Sequence, residues 1–189
     1  MNKQEFLSRF YHLRLTQSEP DYPLRAPGKP AAVLIPLVNS KHQLNVLFTL
    51  RARHLKHHGG QVSFPGGKQE PGDINLLDTA LRETEEEIGL KRDSIEVIGQ
   101  LTRYRTVSRY EVTPYIGLVD PYQELILDPN EVDEVFEVPL AHLMEQQNHR
   151  IHWVQRHGLN YPIYFIQWQD KNIWGATAAF VRNLSHLIK

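Results

Sequence analysis

The chain has 189 residues, of which 41% are hydrophobic, and this length is enough to bury one sizeable core. Its 21 basic and 22 acidic residues give a formal net charge of −1, which argues against a broad surface for nucleic acid or anionic lipid and favours a small-molecule partner. No cysteine is present, so disulfides, thiol nucleophiles and cysteine-based zinc sites are excluded. We therefore predict a single domain over residues 1–189.

The sequence contains no segment that predicts a membrane or secretory destination. Its start, MNKQEFLSRF, has no long apolar core and no small-residue cleavage site. No later apolar run is long enough to cross a bilayer. We therefore expect a cytoplasmic protein that has no membrane partner.

The N-terminal region, about residues 1–30, is predicted to form a helix followed by an arm. A helix is expected over residues 2–14, because three apolar side chains recur at helical spacing behind a possible cap at Asn2. These side chains are Phe6, Phe10 and Leu13. The segment SEPDYPLRAPGKP then ends the helix, since proline and glycine favour irregular backbone.

The rest of the chain alternates between strand and helix patterns, which indicates a mixed α/β fold. The predicted strands are residues 31–38, 44–50, 94–105, 110–119 and 132–138. A closing helix is predicted over residues 175–187. Residues 51–67 combine basic and histidine side chains with glycines, which is typical of a ligand-binding loop rather than of a packed strand.

A further helix is predicted between Asp73 and Gly89, with Gly89 as its C-terminal cap. Four residues form the stripe that is expected to pack inward: Leu77, Leu81, Thr84 and Ile88. An advance of about 100° per residue places three carboxylates in one sector turned away from that stripe, whereas Glu85 points elsewhere. The three carboxylates belong to Glu83, Glu86 and Glu87.

These three carboxylates are candidates for a metal site. Like charges at such spacings repel each other, and the C-terminal half of a helix disfavours anions. A divalent cation would reverse both effects, because hard cations such as Mg²⁺ prefer oxygen ligands. A solvated acidic face is the alternative interpretation of the same residues.

Residues 66–90, GGKQEPGDINLLDTALRETEEEIGL, resemble the Nudix box G-x5-E-x7-R-E-U-x-E-E-x-G-U, in which U is a bulky apolar residue. The second half of the box matches at Arg82, Glu83, Glu86, Glu87, Gly89 and Leu90. The first half departs from it: Asp73 stands in place of Glu, and eight residues rather than seven separate Asp73 from Arg82. The resemblance implies the Nudix fold, an α/β/α sandwich with a mixed β-sheet between helices.

The resemblance also implies roles for individual residues. Glu83 and Glu87 become the leading ligands of Mg²⁺ or Mn²⁺, with Glu86 as a third ligand or water-orienting group. Gly67 could add a backbone carbonyl, and Arg82 would hold a carboxylate in place. Water would attack the diphosphate directly. The later acidic segment NEVDEVFEVPL offers two candidate general bases, with solvated surface residues as the alternative: Glu131 first and Glu134 second.

Residues 47–67, LFTLRARHLKHHGGQVSFPGG, resemble a signature of the coenzyme A diphosphatase branch of the family, L-x-T-x-R-[SA]-x3-[RK]-x3-G-x3-F-P-G-G. The segment IWGATAAF near the C-terminus is also similar to that branch. This resemblance implies hydrolysis of coenzyme A or its derivatives to 3′,5′-ADP and 4′-phosphopantetheine. The residues that would bind the substrate are Arg51, Lys56, Gly66 and Gly67.

Two other functions stay open at this point: hydrolysis of another nucleoside diphosphate derivative such as ADP-ribose, and a non-catalytic sensor that only binds a nucleotide. Several side chains near the signatures also have ordinary structural interpretations. His54, His57 and His58 lack a partner at an informative spacing and are expected to be loop residues. Three tryptophans could stack on adenine, but packing is the expected role of each: Trp153, Trp168 and Trp174.

Overall fold

The computed structural model describes residues 1–12, 17–24, 26–40, 43–156 and 158–188. In these residues four α-helices accompany two β-sheets. The helices are α1 (Lys3–Phe10), α2 (Leu76–Ile88), α3 (Leu140–Met144) and α4 (Gly175–Leu187). The strands are β1 (Lys29–Ser40), β2 (Gln43–Arg51), β3 (Val62–Ser63), β4 (Gly66–Lys68), β5 (Ile95–Gln100), β6 (Tyr104–Arg105), β7 (Tyr110–Val119), β8 (Val132–Pro139), β9 (His149–Arg156), β10 (Leu159–Trp168) and β11 (Lys171–Trp174).

Strand β1 lies at the centre of a mixed eight-stranded sheet. It pairs antiparallel with β2 and β4 and parallel with β7, while β8 and β3 extend the sheet beyond β2. Because side chains alternate along a strand, β1 contributes to both faces. Leu34 and Val38 join the apolar cluster beneath α2, and Ile35 and Leu37 join the larger cluster on the opposite face. The predicted α/β/α sandwich is therefore confirmed.

The larger cluster fills the space between the sheet and the helices α1, α3 and α4. Phe6 of α1 and Phe180 of α4 are buried in it, and Phe180 stacks on Phe64. The three-stranded sheet β11-β10-β9 also packs here, because Tyr164 and Ile166 of β10 are buried in the same cluster. The sequence patterns above did not predict this second sheet. Among the described residues, no helix combines the length and the apolarity needed to cross a membrane.

Most predicted elements lie close to their expected positions. The closing helix occupies residues 175–187, and Asn2 caps α1 by accepting a hydrogen bond from the amide of Glu5. Helix α1 ends at Phe10 rather than at residue 14, and Leu13 lies outside the described residues. The prediction of a loop throughout 51–67 was wrong, because two short strands, β3 and β4, form inside it. Glycines at 66 and 67 leave room for that backbone to pair with β1.

The N-terminal arm is attached to α4 by a charged cluster around Glu19, whose side chain is only 11% exposed. One carboxylate oxygen of Glu19 accepts hydrogen bonds from Arg182 and His186, both at 2.8 Å, and the other accepts one from Tyr164 at 2.6 Å. Burial disfavours the carboxylate, but these hydrogen bonds and the charge of Arg182 outweigh it, so the pKa of Glu19 lies below its ordinary value. The arm is therefore held by an ion pair rather than by apolar contact alone.

We expect replacement of Glu19 by Gln to destabilise the fold by about 2–3 kcal/mol at neutral pH, because it leaves Arg182, whose side chain is only 11% exposed, beside a neutral group. Glu5→Gln is the matched control: Glu5 pairs with Arg9 on the surface, where its side chain is 44% exposed. That pair should contribute less than about 0.5 kcal/mol. Urea unfolding of both variants measures the two values.

The pH dependence gives a second readout. A carboxylate whose pKa is lowered in the folded state stabilises the fold above its ordinary pKa, 4.5 for Glu19, and loses that contribution as the pH falls through the folded pKa. The difference in unfolding free energy between wild type and Glu19→Gln should therefore shrink as the pH falls below the pKa of the unfolded carboxyl. Equal stability of the two proteins at neutral pH would contradict this account of the arm.

Candidate active site

Helix α2 is set in place by caps at both ends. The side chain of Asn75 accepts a hydrogen bond from the amide of Asp78 at 2.9 Å, and Gly89 closes the helix in the left-handed conformation, with φ of +71°. A side chain at position 89 would meet the backbone of Ile126 at 2.8 Å, so glycine is also required by space. The predicted helix and its C-cap are thus confirmed.

The buried face of α2 is rotated relative to the predicted one. Thr84 and Ile88 are buried as expected, but Leu77 and Leu81 are only half-buried. Three further residues lie inside instead: Thr79, Ala80 and Glu87. Glu87 is only 2% exposed, so the expectation that it faces away from the core was wrong. The sheet below α2 covers a face that includes this carboxylate.

Glu87 lies between the end of β2 and the start of β4. Its carboxylate accepts a hydrogen bond from the amide of Gly66 at 3.3 Å and lies 3.5 Å from the guanidinium of Arg51. Burial raises the pKa of Glu87 to about 8, with further increases from the charges of Glu131 and Glu83, while Arg51 and the Gly66 amide oppose the shift. The partners in the protein therefore compensate only part of the cost of burying this charge.

Glu83 is placed one helical turn earlier, against the backbone of Gly67. A methyl group added to Gly67 would lie 2.4–2.6 Å from the carboxyl atoms of Glu83, closer than any real contact of this kind. Burial raises the pKa of Glu83, and the neighbouring charge and hydrogen bond of Arg82 oppose that increase. Two partly desolvated carboxylates therefore point at the two glycines of β4.

Glu86 is arranged differently from this pair. Its side chain is 59% exposed and accepts a hydrogen bond from Arg82 at 2.8 Å. Within the described ranges, no three His, Asp or Glu side chains are grouped closely enough to hold one metal ion. The structure thus offers a pair of carboxylates beside a glycine backbone, with Glu86 at the rim.

The donor set of this pair fits a hard divalent cation. Carboxylate oxygens, a nearby backbone and room for water or phosphate oxygens are what Mg²⁺ uses, since it rarely takes a complete shell from protein. A cation would also offset the burial and the repulsion between like charges that raise the pKa of both groups. The residues that would hold it are Glu83 and Glu87, with Gly67 supplying a carbonyl.

Arg82 is fixed by Asp73, whose role the sequence had left open. Both oxygens of Asp73 accept hydrogen bonds from the guanidinium, at 2.7 and 3.0 Å, and Thr79 donates a third hydrogen bond to the same carboxylate. The Arg82 hydrogen bond is the main reason that the pKa of Asp73 lies far below its ordinary value. Arg82 then contacts Glu83 at 3.0 Å. Asp73 therefore positions the arginine that positions Glu83.

The predicted substrate-binding cations occupy two different environments. Arg51 ends β2 beside Glu87, whereas Lys56 is exposed on the loop that follows. His54 and His57 are also exposed on this loop, and His58 bonds to Gln61. Trp168 packs against His142 and Trp174 against Phe165, so both have packing roles.

The two candidate bases lie in different surroundings. Glu134 lies on β8 two residues before Phe136, on the face that packs against the larger cluster, and Lys171 binds its carboxylate at 2.7 Å. Glu131 precedes β8, and its charge raises the pKa of both Glu83 and Glu87. Of the two, Glu131 is therefore the carboxylate whose charge acts on Glu83 and Glu87.

The segment IWGATAAF supports the glycines from the opposite face of the sheet. Thr177 at the start of α4 donates a hydrogen bond to the carbonyl of Val62 in β3, and Phe180 stacks on Phe64. Phe64 also stacks on Phe48 of β2, with ring centroids 4.7 Å apart. The backbone that leads into Gly66 and Gly67 is thus held between α4 and β2.

Comparisons with known proteins agree with this arrangement. Residues 28–159 match the NUDIX domain. The chain is 39% identical over 186 residues to the uncharacterized Nudix hydrolase NudL of Yersinia enterocolitica, covering 97% of this chain and 92% of the relative. NudL of Yersinia pestis is 36% identical over 190 residues, covering 97% of this chain and 94% of that protein.

Solved structures show the same fold at low sequence identity. An Ap4A hydrolase of C. elegans, solved as a binary complex, superposes with a TM-score of 0.51 at 17% identity, over 59% of this chain and 80% of that one. The Nudix hydrolase RenU of M. smegmatis gives a TM-score of 0.51 at 19% identity, over 62% and 74% of the two chains. With the domain match and the close relatives, they lead to one conclusion: the chain belongs to the Nudix family of hydrolases.

Proposed function

We propose that this Nudix hydrolase cleaves the diphosphate bond of coenzyme A or one of its derivatives, with Mg²⁺ or Mn²⁺ held by Glu83 and Glu87. The observation that carries the proposal is the close approach of these two carboxylates to Gly66 and Gly67, with Arg51 beside them. The substrate class rests on the resemblance of residues 47–67 to the coenzyme A branch. The products would be 3′,5′-ADP and 4′-phosphopantetheine.

Each residue of the site has its own function around the diphosphate. Glu83 and Glu87 hold the cation, which when bound neutralises phosphate charge and lowers the pKa of water. Arg82, itself fixed by Asp73, orients Glu83. Arg51 lies where its guanidinium can bind an oxygen of the scissile diphosphate.

Glu131 would accept the proton of the attacking water as general base. Water is the nucleophile in this scheme, and the chain has no cysteine that could act as a covalent nucleophile instead. Glu86 at the rim would orient a further water or complete the metal shell. None of these steps requires a covalent intermediate.

The metal ligands are tested by isosteric replacement. Glu83→Gln or Glu87→Gln should lower kcat by about a thousandfold or more, because the electrostatic stabilisation of the transition state is lost. Glu85→Gln is the matched control: Glu85 lies on the same helix but pairs with Lys91, away from the site. The control should keep wild-type kcat.

The same variants have an opposite effect on stability. Without metal, Glu87→Gln should unfold at the same temperature as wild type or higher, because burial disfavours the charge of Glu87 and glutamine carries none. Full activity in both Gln variants would contradict the assignment. Tight nucleotide binding without any product in metal-replete wild type would favour a sensor instead.

The space between β4 and α2 gives an independent test. Gly67→Ala should displace the Glu83 carboxylate, because the added methyl group would overlap it. Gly72→Ala adds the same methyl group four residues past β4, where nothing lies within 4 Å. We expect at least about a tenfold weaker apparent affinity for Mn²⁺ in Gly67→Ala, a loss of more than about 1.4 kcal/mol, and no change in Gly72→Ala. Equal affinities would show that Gly67 is not part of the metal site.

Substrate recognition is tested with coenzyme A and 3′-dephospho-coenzyme A. Arg51→Ala should lower kcat/KM about ten- to a hundredfold for both substrates, because Arg51 lies beside the proposed metal pair and would contact the scissile diphosphate. Lys56→Ala should lower it for coenzyme A alone if the exposed loop binds the 3′-phosphate. Lys91→Ala, a cation that pairs with Glu85, should change neither value.

Two outcomes would revise this assignment. If wild type ignores coenzyme A but hydrolyses ADP-ribose efficiently, the branch assignment fails and only the general Nudix activity stands. If Lys56→Ala affects both substrates equally, the loop does not distinguish the 3′-phosphate. Direct product analysis with purified enzyme and Mg²⁺ separates these cases.

A further inference from the structure

The segment Asp128-Pro129-Asn130-Glu131 forms a tight turn immediately before β8. The amide of Glu131 donates a hydrogen bond to the carbonyl of Asp128 at 3.0 Å, which is the bond that closes a β-turn. Asp at the first position and Pro at the second are the residues that such a turn favours, because proline fixes its own φ. The residues of this segment therefore favour the turn that ends at Glu131.

The side chain of Asp128 reinforces this turn. Its Oδ1 accepts hydrogen bonds from both the backbone amide and the side-chain amide of Asn130, at 2.9 and 2.8 Å. Its carbonyl also accepts a bond from the amide of Val132 at 2.9 Å. Asp128 thus fixes both the middle and the end of the turn.

One end of the turn is attached to the metal-binding helix. The amide of Asp128 donates a hydrogen bond to the carbonyl of Glu87 at 3.0 Å, and the amide of Ile126 donates one to the carbonyl of Ile88 at 3.0 Å. These carbonyls belong to the last turn of α2, where the helix has no partners of its own for them. The segment therefore docks directly on the residue proposed as a metal ligand.

The other end is attached to the strand that carries Arg51. The carbonyl of Glu131 accepts a hydrogen bond from the amide of Ala52 at 2.9 Å. Glu131 is thus held on both sides of its α-carbon, by Asp128 and by Ala52. Its half-buried side chain lies close enough to Glu83 and Glu87 for its charge to act on both.

We propose that Asp128 is a positioning residue that fixes the general base Glu131 relative to the metal ligand Glu87. The proposal rests on the proposed function, in which Glu131 takes the proton of the attacking water. The carboxylate of Asp128 accepts hydrogen bonds from Asn130, within the turn that ends at Glu131, whereas the bonds of Asp128 to Glu87, Glu131 and Val132 are made by its backbone and do not need the side chain. Its loss should therefore change the chemical step rather than substrate binding.

The test compares Asp128→Ala, Asp128→Asn and Glu131→Gln in metal-saturated enzyme with coenzyme A. Asp128→Ala should lower kcat about tenfold and leave KM within about twofold, because a loosened turn misplaces the base but not the binding groups. Asp128→Asn should restore kcat, since its side-chain oxygen still accepts the Asn130 bonds. Asp120→Ala is the matched control: Asp120 forms a similar Asp-Pro turn earlier in the same segment, with its Oδ1 bonded to the amide of Tyr122. It should keep wild-type kcat.

The decisive comparison is the double variant. In the Glu131→Gln background, Asp128→Ala should cause no further loss of kcat, because its effect passes through Glu131. If Asp128→Ala does not fold, Pro129→Gly loosens the same turn without removing a hydrogen-bonding side chain and should behave likewise. Additive losses, or equal losses for Asp128→Ala and Asp128→Asn, would overturn the proposal while leaving Glu131 as the base. Full kcat in Glu131→Gln would instead refute the base itself, and the positioning role with it, without affecting the metal ligands.

Discussion

Two carboxylates of one helix, Glu83 and Glu87, approach the backbone of Gly66 and Gly67. Glu87 accepts a hydrogen bond from the Gly66 amide, and Glu83 lies so close to Gly67 that no side chain fits at that position. Burying anions costs free energy unless they are paired. Arg51 and the Gly66 amide contact Glu87, and Arg82 contacts Glu83, yet the pKa of both carboxylates remains raised by burial. The protein alone leaves these charges incompletely compensated, and a divalent cation is the group that would complete the compensation.

The surrounding fold holds this pair from both ends of α2. At one end, Asp73 accepts two hydrogen bonds from Arg82, and Arg82 forms an ion pair with Glu83. At the other end, amides of the segment before β8 donate hydrogen bonds to the carbonyls of Glu87 and Ile88. Glu131 lies at the end of the same segment. On the opposite face of the sheet, Phe64 stacks on Phe48 and on Phe180 of α4. These contacts hold the backbone that leads into β4. Each support lies on a different element, so the site depends on the whole sandwich.

Much of this could be predicted from the sequence because local signals specify it. Asn75 caps the start of α2 and Gly89 caps its end, and the spacing within the Nudix box places Glu83 and Glu87 one helical turn apart. The burial of Glu87 could not be predicted, because a hydropathy pattern assigns every carboxylate to the solvent side. The strands β3 and β4 were missed for a related reason: their length is two and three residues, and they form only because β2 and β1 provide partners. The bond from Asp128 to Glu87 joins residues 41 positions apart, and no local pattern encodes it.

We propose that Glu83 and Glu87 form a metal site in a protein that is already folded. Calorimetric titration of Mn²⁺ into metal-free protein tests it most directly, with the folded state verified beforehand by thermal unfolding in a chelator. We expect a cooperative unfolding transition without metal and saturable Mn²⁺ binding in wild type. The Mn²⁺ binding should disappear when both residues are replaced by Gln. Unchanged binding in that double variant, or a wild-type chain that folds only after metal is added, would contradict it.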